Sequence, residues 1–127
     1  MQSMAHILVI DDEEEIRNIL RQILEGQGYT VTEASNGREG LRRFSEKPAD
    51  LVITDLLMPE KEGIETIIEL RHTFPGVKII AISGGGYVGP DKYLEMAKKL
   101  GAGKTFAKPF NISDLLKAVQ ELLVTAA

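Results

Sequence analysis

The amino-acid sequence predicts an α/β fold, in which five parallel strands alternate with five helices that cover both faces of the sheet. Two observations support this fold class. Short apolar runs such as Ile7–Ile10 and Leu51–Ile53 contain no polar residue, which is typical of strands buried on both faces. Segments with the apolar spacing of helices follow these runs after connections of a few residues, and such alternation produces right-handed crossovers between parallel strands.

The first two strands and helices follow from the apolar spacing. Ile7–Ile10 precedes a helix whose apolar residues recur at i, i+3, i+4, i+7 and i+8. That face consists of Ile16, Ile19, Leu20, Ile23 and Leu24. Gly26 and Gly28 end the helix. Residues 30–34 alternate in polarity like an edge strand, and Asn36 begins the second helix.

The third strand contains Leu51–Ile53 and ends at Asp55. Gly63 leads into the third helix. The predicted apolar face of that helix comprises Ile64, Ile67, Ile68 and Phe74. The fourth strand is predicted from Val77 to Ser83, because that segment is again nearly all apolar.

The last two helices flank a short strand. Pro90 is suited to the first position of the fourth helix, which Gly101 ends. The fifth strand is predicted at residues 104–107. Asn111 is expected to cap the fifth helix. The apolar face of that helix comprises Leu115, Leu116, Val119, Leu122 and Leu123.

Composition excludes several classes of protein. The 127 residues predict one domain. The absence of cysteine excludes disulfides, thiolate catalysis and cysteine-bound zinc, and the net charge of −4 argues against a basic nucleic-acid-binding surface. No stretch approaches the roughly 20 apolar residues of a membrane span, and no signal-peptide core is present. We therefore expect a cytoplasmic protein.

Polar side chains stand where four of the five predicted strands end. They are Asp11 and Asp12, Asp55, Ser83 and Lys108. Parallel strands bring these positions to one edge of the sheet, and ligands of open parallel sheets bind at that edge. Clustered carboxylates favour a hard divalent cation such as Mg2+, while a lysine and a hydroxyl suit the oxygens of a phosphoryl group. The combination predicts phosphoryl transfer onto Asp55.

Each of these residues also has a simpler interpretation. Asp55 could cap a turn at the end of its strand, and Ser83 could be a turn residue. Lys108 could be a surface charge. Residues 13–15 are expected to be a solvated first turn of a helix, where acidic side chains are favourable. Only the joint placement at the strand ends favours the phosphoryl-transfer interpretation.

Four motifs together resemble the receiver domain of two-component response regulators. They are Asp11-Asp12, Asp55-Leu56-Leu57-Met58-Pro59, Ser83-Gly84 and Lys108-Pro109-Phe110. The resemblance covers about residues 5–124 and implies a flavodoxin-like sheet of order 2-1-3-4-5, an order known from a chemotaxis receiver. We expect a single receiver domain within residues 1–127, with no output domain.

The resemblance also implies roles for individual residues. Asp12 and Asp55 would bind Mg2+ directly, Asp11 mainly through water, and Leu57 through its backbone carbonyl. Asp55 would accept the phosphoryl group of a phosphohistidine on a sensor histidine kinase or a histidine phosphotransfer protein. The chain would thus be a phosphoacceptor rather than an enzyme.

Contacts to the phosphoryl oxygens are implied for Ser83 and Lys108, and the Lys108–Pro109 bond is a candidate cis peptide. Phosphorylation would switch the face formed by the fourth helix, fifth strand and fifth helix. The sequence leaves open whether a target protein, a kinase domain or a second copy in a homodimer docks there.

Departures from the family pattern concern switching and phosphate lifetime. An aromatic residue often stands three positions before the lysine, where this chain has Thr105, with Phe106 beside it. The loop after Ser83 is rich in glycine. Two positions after Asp55 and two after Ser83 stand Leu57 and Gly85, and neither offers a side chain to orient a hydrolytic water. We therefore expect a long-lived or back-transferable acyl phosphate, as a phosphorelay intermediate would need.

Three rival functions have weaker support. Residues 84–89 match G-x-G-x-x-G, but a dinucleotide site needs an acidic residue about 20 positions on, and Lys108 stands near there instead. Aspartate-nucleophile phosphatases need a second Asp where Leu57 stands. A phosphate-independent interaction module remains the alternative. His6 and His72 are expected to be ordinary surface residues.

Overall fold

The computed structural model describes residues 5–56, 63–84 and 90–124. Within them the strands are β1 His6–Ile10, β2 Thr30–Ala34, β3 Leu51–Asp55, β4 Ile79–Ser83 and β5 Lys104–Ala107. The helices are α1 Glu14–Gly26, α2 Gly37–Glu46, α3 Gly63–Thr73, α4 Pro90–Lys99 and α5 Ile112–Val124. The strands are parallel in the order β2-β1-β3-β4-β5, which confirms the predicted sheet. None of these helices is long and apolar enough to cross a membrane.

Alternate residues of β1 enter two separate cores, one on each face of the sheet. Leu8 and Ile10 pack with residues of α2, α3 and α4. Ile7 and Val9 pack with residues of α1 and α5. All four side chains are at most 1% exposed. The predicted double-sided burial is therefore confirmed, and the two cores hold the strand ends at fixed relative positions.

The apolar face of α3 differs from the predicted one. Ile68 is 47% exposed, whereas Gly63, Thr66, Ile67 and Leu70 are buried at i, i+3, i+4 and i+7. Gly63 sets this rotation, because a Cβ there would lie 2.1 Å from the carbonyl oxygen of Asp55. Close backbone packing at the start of α3 thus overrides the spacing of its isoleucines.

The structure differs from the sequence-based prediction at two further positions, each for a local reason. Ile19 of α1 is 46% exposed, because Leu20 and Leu24 carry the buried side of that helix. The fourth strand begins at Ile79 rather than Val77, whose N–H donates to the carbonyl of Phe74 and closes the turn after α3.

The predicted helix ends are confirmed. The Asn36 side chain accepts a hydrogen bond from the N–H of Glu39 at 2.8 Å, and Asn111 accepts one from the N–H of Asp114 at 3.0 Å. Gly28 follows α1 with φ of 94°, and Gly101 follows α4 with φ of 118°, a region that favours glycine.

The prediction that His6 lies on the surface is wrong. Its side chain is buried, because β1 lies between β2 and β3. The ring Nε2 lies 2.6 Å from the Thr32 hydroxyl and Nδ1 lies 3.4 Å from the carbonyl of Pro48. Since the carbonyl only accepts, these contacts fit the tautomer protonated on Nδ1. His72 is exposed, as expected.

Candidate functional site

Three carboxylates meet at the edge where β1 and β3 end. Asp11 follows β1 directly, Asp55 is the last residue of β3, and the two strands pair with Ile10 opposite Thr54. One carboxylate oxygen from each of Asp11, Asp12 and Asp55 lies within 4.8 Å of the others. Asp11 is 2% and Asp55 4% exposed, so water screens their repulsion only weakly.

Lys108 supplies positive charge to this cluster. Its Nζ lies 2.8 Å from Glu13 Oε1, 3.1 Å from Asp11 Oδ2 and 3.6 Å from Asp55 Oδ2. Burial disfavours the ammonium, but the hydrogen bond to Glu13 and the charges of Asp11 and Asp55 outweigh it. The pKa of Lys108 therefore lies above its ordinary value of 10.5, and the side chain is charged at neutral pH.

Burial raises the pKa of the Asp11 carboxyl above its ordinary value of 3.8. The N–H of Glu13, which donates to Asp11 Oδ1 at 2.9 Å, and the ammonium of Lys108 act in the opposite direction without cancelling the effect of burial. Holding a negative charge at this position therefore costs free energy, and a nearby cation would reduce the cost.

Ser83 ends β4, the strand between β3 and β5. Its side chain is fully buried, and its Oγ has no hydrogen-bond partner within the described part of the chain. An unpaired buried hydroxyl typically costs about 1–3 kcal/mol. The neighbouring Thr54 hydroxyl, by contrast, donates to the carbonyl of Asp55 at 3.0 Å. The Ser83 hydroxyl is thus still able to donate a hydrogen bond to a ligand.

Glycines allow close packing around these side chains. A Cβ at Gly84 would lie 3.2 Å from Cδ of Lys108, and one at Gly63 would collide with the carbonyl of Asp55. This packing role of Gly63 is not predicted from the sequence. The only signal for it is the position of Gly63 at the start of the helix that follows the strand ending at Asp55. Replacement of Gly63 would displace the backbone of Asp55.

The acidic turn after β1 differs in one respect from the expectation. Glu14 and Glu15 are exposed in the first turn of α1, as predicted. Glu13 is exposed in the same way, as predicted, but it also forms the shortest ion pair of Lys108, which the sequence does not predict. The β5–α5 connection brings the lysine to this turn from 95 positions away, so no local pattern predicts this contact.

Other predicted features lie around the cluster. The Lys108–Pro109 peptide bond is cis. Thr105, three positions before Lys108, is half-buried in β5. The aromatic residue Phe106 stands one position later and packs with the core formed by α1 and α5. Leu57 and Gly85 lie outside the described residues.

The donor set of the cluster fits a magnesium ion. Asp11, Asp12 and Asp55 offer only carboxylate oxygens, which Mg2+ prefers over nitrogen or sulfur, and the three oxygens are close enough to share one ion. The cost of ionising buried Asp11 points in the same direction, because a divalent cation would lower it. These three residues could therefore hold a metal.

Comparisons with known proteins agree on one family. The model of the response regulator receiver domain matches residues 7–120. The response regulator receiver protein CpdR of Brucella abortus (strain 2308) is 32% identical over 123 residues, which cover 97% of this chain and 100% of that protein. The chemotaxis protein CheY of Halobacterium salinarum (strain ATCC 29341 / DSM 671 / R1) is 34% identical over 117 residues, or 92% of this chain and 95% of that protein.

A solved structure extends the likeness to the fold. The CheY-like response regulator receiver domain protein from Methanospirillum hungatei JF-1 has a TM-score of 0.87 at 31% identity, and the match covers 95% of this chain and 94% of that one. The residues matched by the family model, 7–120, include the acidic cluster, Ser83 and Lys108.

Proposed function

Because this chain belongs to the response regulator receiver domains of two-component signalling, we propose that Asp55 accepts a phosphoryl group from a phosphohistidine. The donor would be a sensor histidine kinase or a histidine phosphotransfer protein. The observation that carries the proposal is the joint placement of three groups. A buried carboxylate, Asp55, lies 3.6 Å from the Lys108 ammonium at the strand end beside the unpaired hydroxyl of Ser83.

The transfer follows from the chemistry of these groups. An oxygen of the Asp55 carboxylate attacks the phosphorus atom, and the new O–P bond forms as the P–N bond to imidazole breaks. The electron pair of that bond leaves with the imidazole nitrogen. Charge develops on the equatorial phosphoryl oxygens, where Lys108 and the Ser83 hydroxyl can donate hydrogen bonds. Lys108 remains protonated throughout, because its pKa is raised.

Asp11, Asp12 and Asp55 would hold Mg2+, with the backbone carbonyl of Leu57 as the further ligand that the family resemblance implies. When bound, the ion supplies positive charge against both the carboxylates and the phosphoryl oxygens. The protein's part is to keep the acidic side chains together before the ion arrives. The β1–β3 pairing and the two cores do this.

We assign the docking of the donor protein to a groove next to Lys108. It has a volume of about 380 Å³, and Ile16, Ile19, Phe110 and Ile112 contribute its apolar walls. Ile19 and Ile112 are 46% and 45% exposed. Because Lys108 lines both the groove and the acidic cluster, a partner seated there would bring a phosphohistidine to Asp55. An apolar helical surface carrying the histidine is the occupant that fits.

The proposed output is a change of the face formed by α4, β5 and α5. The face offers an exposed Met96 on α4 and an ion pair of 3.1 Å between Lys104 on β5 and Glu121 on α5. A downstream protein or a second copy of the chain would bind there when Asp55 is phosphorylated. The chain would act as a phosphoacceptor with weak self-dephosphorylation, not as an enzyme that turns over substrate.

Mass measurement after incubation with acetyl phosphate and Mg2+ tests the proposal. The wild type is expected to gain one phosphate, and Asp55→Asn none. Asp50→Asn is the matched control, because Asp50 directly precedes the same strand at its opposite end and accepts a hydrogen bond from the main-chain N–H of His6. The control should gain one phosphate like the wild type.

An unchanged wild-type mass would contradict the proposal and favour a phosphate-independent interaction module. The same sample measures the lifetime of the acyl phosphate. Since neither Leu57 nor Gly85 has a polar side chain to orient water, the added mass should persist after removal of the donor. Loss within seconds would contradict the expected long lifetime.

A further inference from the structure

Arg17 lies outside the acidic cluster but binds the backbone that carries it. Its Nη1 donates to the main-chain carbonyl of Asp11 at 2.6 Å, and its Nε donates to Glu33 Oε1 at 3.1 Å. The Arg17 side chain is 15% exposed and that of Glu33 is 20% exposed. We infer that Arg17 is a positioning residue for the cation site, because it holds the turn from which Asp11 and Asp12 project. The inference rests on the proposed function, since it assumes that these carboxylates bind Mg2+.

The contacts of Asp11 account for each of its polar groups. Its N–H donates to the carbonyl of Ala34 at 3.1 Å. Its carboxylate accepts from the N–H of Glu13 through Oδ1 and pairs with Lys108 through Oδ2. Its carbonyl accepts from Arg17. Each of these contacts comes from a different residue, so the orientation of Asp11 is determined from several directions.

The contact to the carbonyl matters most for Asp12. Asp12 is exposed, so the backbone rather than packing places its carboxylate. The carbonyl of Asp11 belongs to the peptide unit that joins Asp11 to Asp12, and this unit is planar. A hydrogen bond that fixes the carbonyl therefore fixes the direction in which the chain continues to Asp12. Arg17 thereby orients a cation ligand that it does not touch.

An arginine suits this position better than a lysine. The planar guanidinium can bind two acceptors in fixed directions, whereas an ammonium is a point charge on a flexible stem. Glu33 anchors the guanidinium to β2, which pairs with β1. The turn after β1 is therefore tied through Arg17 to the neighbouring strand.

Arg21 provides a matched control on the same helix. It also pairs with Glu33, and it donates to the carbonyl of Val31 at 3.2 Å instead of that of Asp11. Arg17 and Arg21 thus share the Glu33 anchor and a type of backbone contact, but Arg21 is more exposed, also pairs with Glu25 and holds β2 rather than the turn after β1. A purely structural role predicts that the loss of either one lowers stability without a selective change in Mg2+ affinity.

The test is calorimetric titration of Mg2+ into the wild type, Arg17→Gln and Arg21→Gln, with thermal unfolding in EDTA for each. Electrostatics alone predicts tighter binding after Arg17→Gln, because a positive charge near the ion is removed. The positioning role predicts the opposite sign. We expect Arg17→Gln to weaken Mg2+ binding by roughly tenfold, the size of one charge-assisted hydrogen bond. Arg21→Gln should stay within about twofold of the wild type, as expected for a partly exposed charge away from the ion.

Two further variants keep the test decisive if Arg17→Gln folds poorly. Arg17→Lys retains the charge but cannot reproduce the two directed contacts, and Glu33→Gln weakens the anchor. Both should weaken Mg2+ binding less than Arg17→Gln does. If the wild type binds Mg2+ and the Arg17 variants bind it equally well or more tightly, the inference about Arg17 is wrong, while the proposed function is unaffected. Failure of the wild type to bind Mg2+ would overturn the proposed cation site and the inference with it.

Discussion

The two edges of the sheet bury polar groups in opposite ways. At the amino edge, the ring Nε2 of buried His6 lies 2.6 Å from the Thr32 hydroxyl, and the main-chain N–H of His6 donates to Asp50 Oδ2 at 2.7 Å. At the carboxyl edge, the buried carboxylates of Asp11 and Asp55 lie close together. Polar groups with hydrogen-bond partners stand at the amino edge, and clustered carboxylates stand at the carboxyl edge.

The amino edge stabilises the fold, whereas the carboxyl edge holds a reactive arrangement of side chains. Paired buried polar groups contribute modestly to stability, whereas crowded or unpaired ones cost free energy. The carboxyl edge has a raised Asp11 pKa and an unpaired Ser83 hydroxyl among the described residues. Such costs persist where a ligand can relieve them. Substitutions at the carboxyl edge should therefore change chemistry, and those at the amino edge should change stability.

The largest predicted effect comes from the two lysines at opposite ends of β5. Lys108→Met removes the ammonium 3.6 Å from Asp55, so the rate of phosphorylation by acetyl phosphate should fall by about 100-fold or more. Lys104→Met breaks only the exposed pair with Glu121 and should change the rate by less than about twofold. The measurement is the rate of mass increase under saturating Mg2+. Equal losses of phosphorylation rate in the two variants would contradict the claim that only the carboxyl edge of the sheet carries the chemistry.

Deletion of one hydroxyl at each edge should separate rate from stability. Ser83→Ala should slow phosphorylation roughly tenfold, the value of one hydrogen bond, while leaving the free energy of unfolding unchanged or slightly higher. Thr32→Val leaves His6 Nε2 without its partner and should lower the free energy of unfolding by about 1–3 kcal/mol at an unchanged rate. Urea denaturation and mass kinetics measure the two quantities. A stability loss in Ser83→Ala as large as that in Thr32→Val would contradict the contrast.

A smaller effect should appear in the pH dependence of stability without metal. The folded-state pKa of Asp11 is raised by burial, so its folded form binds more protons than the unfolded chain above pH 3.8. Its contribution to stability therefore declines as the pH rises through the raised pKa. The Asp11→Asn variant should lack this decline.

Glu39, near the carboxyl end of β2, should behave in the opposite way. The N–H of Ser35 donates to it at 2.6 Å and lowers its pKa below 4.5. Its stabilisation is present above pH 4.5 and is lost as the pH falls through the lowered pKa, and Glu39→Gln should remove that loss. Chemical denaturation in EDTA from about pH 2.5 to pH 7 measures both differences. If the contributions of Asp11 and Glu39 to the free energy of unfolding change in the same direction with pH, the opposite pKa shifts of the two carboxyls are contradicted.

Most of the fold could be predicted from the sequence, because apolar runs, helical spacing and glycine positions are local signals. The five strands, their parallel order and the capping roles of Asn36 and Asn111 follow from such signals or from the family motifs. The rotation of α3 could not be predicted, because it depends on the contact between Gly63 and the backbone of Asp55.

The candidate site was predictable as far as the strand ends define it. Asp11, Asp55, Ser83 and Lys108 meet because parallel strands end at one edge. The pairing of Glu13 with Lys108 depends on side-chain geometry across distant segments. The burial of His6 depends on its position in a strand with neighbours on both sides, which apolar spacing does not reveal.

Chemical trapping of the phosphorylated residue would identify the phosphoryl acceptor. Borohydride reduces an aspartyl phosphate to homoserine, which peptide mass mapping then locates in the chain. After incubation with acetyl phosphate and Mg2+, we predict homoserine at position 55 in the wild type and at no position in Asp55→Asn. Homoserine at Asp11 or Asp12 in the wild type, or an undiminished yield in Asp55→Asn, would contradict the assignment of Asp55 as the phosphoryl acceptor.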